Sequence, residues 1–216
     1  KGQSYVVREV TKKKKQRNPV PPFTTSSLQQ EASRKLGMSA KRTMQIAQQL
    51  YEGIPVGEEG TVGLISYMRT DSVHISQEAQ NAARDFIAEK FGKPYVPEKP
   101  RFYSSKAGAQ NAHEAIRPSA VTRTPIEMKA FLSLPQYKLY KLIWERFVAS
   151  QMSSAIVDVT SIDIAAGDYL FRATGQTIAF PGYMQVYREG RDDNSDAEEE
   201  GILPEVEKNQ VLDLRK

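Results

Sequence analysis

The chain has 216 residues, 39% hydrophobic and 26% charged, with a formal net charge of +4. This length supports one large domain or two small ones, and the sequence contains neither a run of about 18 apolar residues that would cross a membrane nor an apolar signal-peptide core. It has no cysteine and two histidines, which excludes disulfides, thiolate metal sites and cysteine nucleophiles and favours a reducing, cytoplasmic setting.

The charge is unevenly distributed along the chain. Residues 1–54 carry 11 basic and 3 acidic side chains, whereas residues 151–216 carry 6 basic and 13 acidic ones. A basic first part and an acidic end indicate a polyanionic partner for the first part. This pattern is typical of proteins that act on nucleic acids, but it does not define a mechanism.

The first elements are predicted from alternation and from breaker residues. Residues 4–10 alternate weakly and favour a strand. The tract Lys12–Lys15 that follows is interpreted either as a solvated loop or as a phosphate-contacting segment. The segment Pro19–Pro22 contains three prolines and cannot lie inside a helix. We interpret it as an extended connector and a domain boundary.

Two short helices around a glycine turn are predicted next. The first covers about residues 28–36, and Gly37 suits the left-handed residue that ends a helix. Ser39 can cap the second, which runs to about Tyr51. This outline matches a helix-turn-helix unit. The basic residues around the turn are Arg34, Lys35, Lys41 and Arg42.

The middle of the chain is predicted to be mainly helical. The apolar run Val62–Tyr67 favours a buried strand, and Ser76 caps a helix that runs to about Phe91. Thr124 begins a capping box with proline at the first helical position, which predicts a helix to about Leu134. A longer amphipathic helix is predicted over residues 136–152.

The character of the sequence changes at about residue 153. Alternating apolar and polar residues predict strands over residues 155–165, 169–175 and 177–186, and residues 206–214 form a last strand or helix. An acidic stretch, residues 191–201, is predicted to be a mobile loop. The order β, α-rich, β predicts an α+β fold in which a helical domain is inserted into a β domain built from both chain ends.

The segment Tyr67–Ser72 gathers the groups that phosphodiester chemistry needs. In an extended segment, Tyr67 and Arg69 point to the same side. A guanidinium can bind two phosphate oxygens, and a tyrosine beside it suits attack on phosphorus once positive charge favours the phenolate. The ordinary alternative is a core tyrosine with a satisfied hydroxyl. The residues alone leave both interpretations open.

A second polar group occurs in residues 113–118. If this segment is helical, His113 and Arg117 lie four residues apart on one face and can bind one phosphate. An ordinary surface pair near a helix end is the alternative. His74 lies between Val73 and Ile75 and is predicted to be structural.

Three segments together resemble one family. The segments are PFTTSSLQQEASRKLG (Pro22–Gly37), GLISYMRTDS (Gly63–Ser72) and AQNAHEAIRPS (Ala109–Ser119). They resemble, in order and separation, the motifs of bacterial DNA topoisomerase I, a type IA topoisomerase. The resemblance covers nearly the whole chain and is weakest after about Val186.

The resemblance implies a mechanism and roles for named residues. Tyr67 matches the nucleophile that cleaves single-stranded DNA through a 5′-phosphotyrosine, so that a strand passes and negative supercoils relax without ATP. Arg69 and His113 match the other catalytic residues. The positions that match DNA- or phosphate-binding residues are Thr70, Asp71, Ser72, Glu114 and Arg117.

The resemblance also implies what lies elsewhere. A complete family member has a Toprim domain whose acidic cluster binds Mg²⁺, and no such cluster follows an apolar strand here. Without an initiator methionine, the sequence is interpreted as a central fragment. It is expected to bind no metal itself, and to work with the Toprim and N-terminal domains of the same enzyme on single-stranded DNA, in the bacterial cytoplasm at the nucleoid.

The expected fold follows from the same resemblance. A helical tyrosine domain with a helix-turn-helix, CAP-like core would occupy residues 25–152, inserted into a β-rich arch formed by residues 1–24 and 153–216. The competing hypothesis is a non-enzymatic DNA-binding helix-turn-helix module in which Tyr67 belongs to the core.

Overall fold

Long strands near both ends of the chain enclose a run of helices in sequence. The computed structural model describes residues 4–104, 113–190 and 203–213. Within them the strands are β1 (Tyr5–Arg17), β2 (Ile54–Pro55), β3 (Thr61–Val62), β4 (Ala155–Ala166), β5 (Tyr169–Phe180) and β6 (Val211–Leu212). The α-helices are α1 (Thr25–Leu36), α2 (Ala40–Glu52), α3 (Gln77–Lys90), α4 (Pro125–Met128) and α5 (Leu134–Gln151).

Strands from both ends of the chain form one antiparallel sheet in the order β5-β4-β1-β6. The β1–β4 ladder runs from Val6 opposite Ala165 to Arg17 opposite Ala155, with an irregularity between Val7 and Glu9. The architecture is therefore mixed α+β, as the sequence predicts. A second small sheet pairs β2 with β3.

The lysine tract is part of the sheet and does not form a loop, so that interpretation was wrong. Lys12–Lys15 lie within β1, pair with residues 157–160 of β4, and are all exposed. Lysine is depleted in strands, but pairing with a β-branched neighbour strand outweighs that weak preference. The tract therefore presents its charges from a fixed ladder.

The strands predicted after residue 168 also differ from those in the structure. The two strands expected over residues 169–175 and 177–186 are the single strand β5, which ends at Phe180 before a 3₁₀ turn at Gly182–Gln185. Gly175 does not break the strand, because it pairs with Thr160 of β4. Within residues 206–213, β6 pairs with the start of β1. The acidic stretch 191–201 lies outside the described residues.

The first helix begins at Thr25, three residues before the predicted start, and both helices end close to the predicted residues. Thr24 caps α1 and forms a reciprocal capping box with Ser27. Gly37 ends α1 in the left-handed conformation, with φ of 63°, where a residue without Cβ is least strained. The Ser39 side chain accepts the Arg42 N–H and caps α2.

The later helices depart from the prediction at one place. Ser76 caps α3 as expected, but the helix that starts after Thr124 ends at Met128 and does not reach Leu134. Ser133 starts a new capping box with Gln136, and Pro135 lies in the first turn. This second start signal begins α5 and separates it from α4.

The helices pack around α5. Its side chains Tyr140, Ile143 and Phe147 are almost fully buried, together with Leu28 of α1 and Ile46 of α2. The indole of Trp144 packs edge-on against Phe86 of α3 at 5.6 Å and donates a 2.8 Å hydrogen bond to the Val121 carbonyl. This rigid core positions the segments that carry the polar motifs.

The chain divides into two compact units. One contains the sheet, from residues 1–17, 155–181 and 193–216, and the other contains the helices, from residues 18–154 and 182–192. In the part of the chain that the structure describes, no helix is long and apolar enough to cross a membrane.

Candidate active site

The segment that carries Tyr67 is not the strand that the sequence predicts, and its backbone bends at Ser66 and Met68. The ladder ends with β3 at Val62, and only Ile65 forms a further bridge, to Pro118, because proline has no N–H to continue a ladder. Burial nevertheless alternates with period two. The exposed side chains are Tyr67, Arg69 and Asp71, and the buried ones are Met68, Thr70 and Ser72. Tyr67 and Arg69 therefore both reach solvent.

Thr25 at the start of α1 fixes this segment. Its hydroxyl donates to the Met68 carbonyl at 2.7 Å and accepts the Thr70 N–H at 2.9 Å. Its own N–H donates to the Thr70 carbonyl at 2.9 Å. One of the free N–H groups at the helix start is satisfied in this way, so the backbone between Tyr67 and Asp71 is tied to a helix end.

The buried hydroxyls of the segment serve its backbone. Thr70 Oγ1 accepts the Ser72 N–H, and Ser72 Oγ accepts the His74 N–H, both at 3.1 Å. Such local bonds stabilise a turn in place of regular structure. Thr70 and Ser72 are 8% and 1% exposed. His74, predicted to be structural, has an exposed side chain.

Residues 113–118 lie beside the Tyr67 segment and are held there by backbone pairing. Residues 113–118 are not helical, so the condition under which His113 and Arg117 would share a helical face is not met. The Ser66 N–H donates to the Arg117 carbonyl at 2.9 Å, and the Arg117 N–H donates to Ser66 Oγ at 3.0 Å. The Ser119 N–H donates to the Leu64 carbonyl at 2.9 Å. Because Arg117 and Ser119 are paired with Ser66 and Leu64, the backbone of residues 113–118 cannot form a helix.

The segment Pro22–Gly37 joins the Tyr67 segment and residues 113–118 at the same place. The Ile116 N–H donates to the Phe23 carbonyl at 2.8 Å, and the same two residues form an isolated β-bridge. Together with the Thr25 bonds, this brings the segments around Phe23, Tyr67 and Ile116 into one arrangement. The sequence separates these residues by about 44 and 49 positions, which only the tertiary fold can close.

Glu114 and Arg117 pair with each other. Glu114 Oε2 accepts from Arg117 Nη2 at 2.7 Å, and Glu114 Oε1 accepts the Ser76 N–H at 2.7 Å. Partial burial acts to raise the pKa of Glu114, but the hydrogen bonds from Ser76 and Arg117 prevail and hold this pKa below its usual range. The ionised carboxylate thus connects the second motif to the start of α3.

Tyr67 has an open hydroxyl and one aromatic neighbour. Its side chain is 48% exposed, and its ring packs edge-on against Tyr51 of α2 with centroids 5.3 Å apart. Within the described residues no hydrogen bond involves its hydroxyl. A core tyrosine would be buried with a bonded hydroxyl, so the ordinary alternative for Tyr67 does not describe this structure.

Arg69 lines an open groove with α2. The groove has a volume of about 610 Å³, and its other lining residues are Lys41, Arg42, Met44, Gln45, Gln48 and Gln49. His113 is exposed at the start of the second motif and follows residues 105–112, which lie outside the described residues. Among the residues described, no group of three or more His, Asp or Glu side chains could hold a metal ion.

Sequence reasoning missed the residues that support this site from other segments. Thr25 was noted only as part of the segment Pro22–Gly37, and Tyr51 only as a helix end. The glutamines of α2 at positions 45, 48 and 49 carry no motif. Their helical spacing on one face was the available signal, but only the fold places that face beside Arg69.

Comparisons with known proteins identify the family of this chain. The sequence model of the family described as DNA topoisomerase matches residues 1–216. A structure of full-length topoisomerase I from Thermotoga maritima, in a monoclinic crystal form, is 40% identical and superposes with a TM-score of 0.80. The match covers 97% of this chain and 32% of that chain, so this chain spans about a third of that protein's length. The chain belongs to the type IA DNA topoisomerase family.

Proposed function

We propose that this chain is the tyrosine-bearing part of an enzyme that relaxes negatively supercoiled DNA by breaking and rejoining one strand without ATP. The main observation behind this proposal is that Tyr67 is exposed and close in sequence to Arg69, on a segment held by hydrogen bonds to the other two motifs. A fixed backbone with an exposed nucleophile is what repeated attack on a phosphodiester requires.

The reaction balances with the groups on this chain and the DNA. The Tyr67 phenol loses its proton as its oxygen bonds to phosphorus, and the bond from phosphorus to the 3′-oxygen breaks. That oxygen takes up a proton and becomes a free 3′-hydroxyl, while the 5′-phosphate remains on Tyr67. Because one phosphodiester replaces another, the strand can be rejoined by the reverse reaction without an external energy source.

The exposed residues are assigned the direct roles. Arg69 would hold the non-bridging oxygens of the phosphate, His113 would lie beside the phosphate, and Asp71 would contact the DNA. The remaining candidates have their polar atoms engaged within the protein and would act by positioning. They are Thr70, Ser72, Glu114 and Arg117.

Magnesium and the other partners are assigned to the rest of the enzyme. The described residues do not fit a metal ion, so no step of the proposal passes through one in this chain. Single-stranded DNA would be the substrate. The Toprim and N-terminal domains would belong to the part of the enzyme that this chain does not cover, in a protein working at the bacterial nucleoid in the cytoplasm.

The two compact units support a domain assignment. The unit with the long strands would be the β-rich arch, and the unit with α1–α5 would be the tyrosine domain, with a helix-turn-helix, CAP-like core formed by α1 and α2. The boundaries expected from the sequence are residues 24 and 152, whereas the compact units divide after residues 17 and 154 and group residues 182–192 with the helices. Gly37 at the turn between α1 and α2, in its left-handed conformation, supports the helix-turn-helix assignment.

The test replaces the matching third of Thermotoga maritima topoisomerase I with this chain. We expect the chimera to relax negatively supercoiled plasmid in the presence of Mg²⁺ and to form a covalent DNA adduct that survives denaturation. The variant Tyr67→Phe should lose both activities to background, because the attacking oxygen is absent, yet keep its fold and its affinity for single-stranded DNA. Tyr169→Phe, exposed on β5, is the matched control and should retain activity.

Two outcomes would contradict the proposal. Relaxation that persists in the Tyr67→Phe chimera would remove Tyr67 from the chemistry. A chimera that folds and binds DNA but forms no adduct would favour the non-enzymatic DNA-binding module, in which Tyr67→Phe changes stability or nothing at all.

A further inference from the structure

We propose that the groove between α2 and Arg69 binds the nucleotides that stay attached to Tyr67 after cleavage, that is, the strand bearing the 5′-phosphate. This inference deepens the proposed function and rests on it. The groove, of about 610 Å³, is lined by Arg69 and by one face of α2. Nothing in the family motifs themselves assigns a ligand to that face.

The charges of the groove suit a run of phosphates. Its cations are Lys41 and Arg42 in the first turn of α2 and Arg69 opposite, and no Asp or Glu lines it. Within the part of the chain that the structure describes, none of these three side chains forms an ion pair. Their charge is therefore available to an anion, and phosphate contacts of this kind dominate the affinity of proteins for nucleic acids.

The spacing along α2 suits a short single strand. Lys41, Gln45, Gln48 and Gln49 recur at helical spacing and share one face. From Lys41 to Gln49 the helix rises roughly 12 Å at about 1.5 Å per residue. At about 3.4 Å per stacked nucleotide, that length accommodates three to four nucleotides. The Gln45 amide offers donors and an acceptor without adding charge, whereas Gln48 already donates to Glu52 and Gln49 already accepts from Gln136.

The same helix connects the groove to the nucleophile. α2 begins at the cations, and near its other end Tyr51 contacts the Tyr67 ring at a centroid distance of 5.3 Å. Arg69, two residues after Tyr67, lines the groove itself. A strand leaving the Tyr67 oxygen can therefore follow α2 without leaving the surface of the helical unit.

Cleavage chemistry selects which strand end occupies the groove. After the proposed attack, the 5′-phosphate is bonded to Tyr67, so the nucleotides that continue from it must lie on the surface next to Tyr67. The freed 3′-hydroxyl end has no covalent link to this chain. A groove that Arg69 links to Tyr67, with Lys41 and Arg42 farther along α2, thus fits the attached nucleotides and would hold them while the other strand passes.

The test measures binding of a fluorescent eight-nucleotide thymidine strand to the 216-residue chain across a salt series. The variant K41Q/R42Q removes two phosphate contacts, so the slope of log affinity against log salt should flatten by about 1.4, with a loss of affinity of about 25-fold at 0.1 M salt. The control K93Q/K138Q removes two exposed lysines outside the groove and should keep most of the affinity.

Two further arms test the occupant. A 5′-phosphorylated strand should bind the wild-type chain more tightly than the same strand with a 5′-hydroxyl. R69Q should reduce this preference more than K41Q/R42Q, because the 5′-phosphate would lie at Tyr67 and Arg69, away from the first turn of α2. At Gln45, a groove residue on the same face, Q45E should weaken binding and Q45K should strengthen it at low salt, which tests the groove even if K41Q/R42Q proves unstable.

The proposal is overturned if K41Q/R42Q binds like K93Q/K138Q, or if a 3′-phosphorylated strand or a duplex gains as much from the groove as the 5′-phosphorylated strand. The chimera assay distinguishes this failure from failure of the proposed function. If Tyr67→Phe abolishes the adduct and K41Q/R42Q does not change the affinity for single-stranded DNA, the catalytic proposal is supported and the groove proposal is wrong. The reverse result would leave a DNA-binding groove without the chemistry.

Discussion

At the scale of single residues, some polar groups of the site face solvent and others form hydrogen bonds that hold the backbone. Tyr67 and Arg69 present theirs outward, whereas Thr70 and Ser72 use their hydroxyls to hold backbone amides. Glu114 belongs to the second group, since one carboxylate oxygen accepts the Ser76 N–H before α3 and the other accepts from Arg117. The depressed pKa of Glu114 follows from these bonds.

The first prediction concerns Glu114→Gln, which keeps the shape and removes the charge. A carboxylate whose folded pKa is depressed stabilises the fold fully above the ordinary glutamate pKa and loses that contribution as pH falls through the folded pKa. We expect Glu114→Gln to cost about 1–2 kcal/mol of unfolding free energy at pH 7, with the difference shrinking below about pH 4. Urea unfolding at several pH values measures it.

A matched variant makes this prediction specific. Glu58→Gln alters an exposed glutamate and should leave the stability near that of the parent chain at each pH. If the cost of Glu114→Gln stays constant from pH 7 to pH 3, the ionised carboxylate is not the stabilising form and the assignment is wrong.

At the scale of elements, a buried polar network ties the segment after β5 to two helices. The Tyr187 hydroxyl donates to Glu31 Oε1 of α1 at 2.7 Å and accepts from Arg146 Nη1 of α5 at 3.1 Å. Gly190 adds its N–H to Glu31 at 2.6 Å. Burial, together with the hydrogen bond to Glu31, raises the pKa of Tyr187 above its ordinary value, so the hydroxyl remains a donor at neutral pH.

The second prediction tests this network through Tyr187→Phe. Removing the hydroxyl leaves Glu31, which is 2% exposed, with one fewer donor, so the unfolding free energy should fall by about 1–3 kcal/mol. Urea unfolding of the helical unit measures the change. Tyr137→Phe, a half-buried tyrosine on α5, is the control. Equal stability of the two variants would show that the network does not hold the segment.

At the scale of the whole molecule, this chain carries one part of a larger catalytic arrangement. It covers 32% of the Thermotoga maritima chain, and the residues described here gather no metal-binding group. The family resemblance places the metal-binding acidic cluster in the Toprim domain. In the proposed function, the groups on this chain would supply the nucleophile and its phosphate contacts, and the rest of the enzyme would supply the metal site.

The third prediction is that the isolated 216-residue chain binds single-stranded DNA but does not relax supercoiled plasmid at any Mg²⁺ concentration. The physical reason is that the leaving 3′-oxygen lacks the metal-assisted stabilisation that the remainder of the enzyme would provide. Gel assays of plasmid topology measure this. Relaxation by the chain alone that disappears in Tyr67→Phe would contradict the prediction, because a contaminating enzyme would not respond to that change.

Local signals in the sequence predicted most helix starts and part of the sheet. Ser39, Ser76 and Thr124 cap helices where expected, because a cap depends on a hydroxyl and the next three residues. Predictions failed where the structure of a segment depends on a partner far away in the sequence. The lysines of β1 are held in a strand by β4, which local preference could not reveal.

The sequence by itself determined the candidate chemistry, since Tyr67, Arg69 and His113 were identified from residue type, spacing and family resemblance. The tertiary structure decided which groups are open and which are engaged. It made residues 113–118 an extended partner of residues 64–66, paired Glu114 with Arg117, and placed α2 beside Arg69. The pairing of the two segments depends on hydrogen bonds between residues 51 and 55 positions apart, Ser66 with Arg117 and Leu64 with Ser119. The contact of α2 with Arg69 is likewise made by the packing of the helical core, which no local pattern predicts.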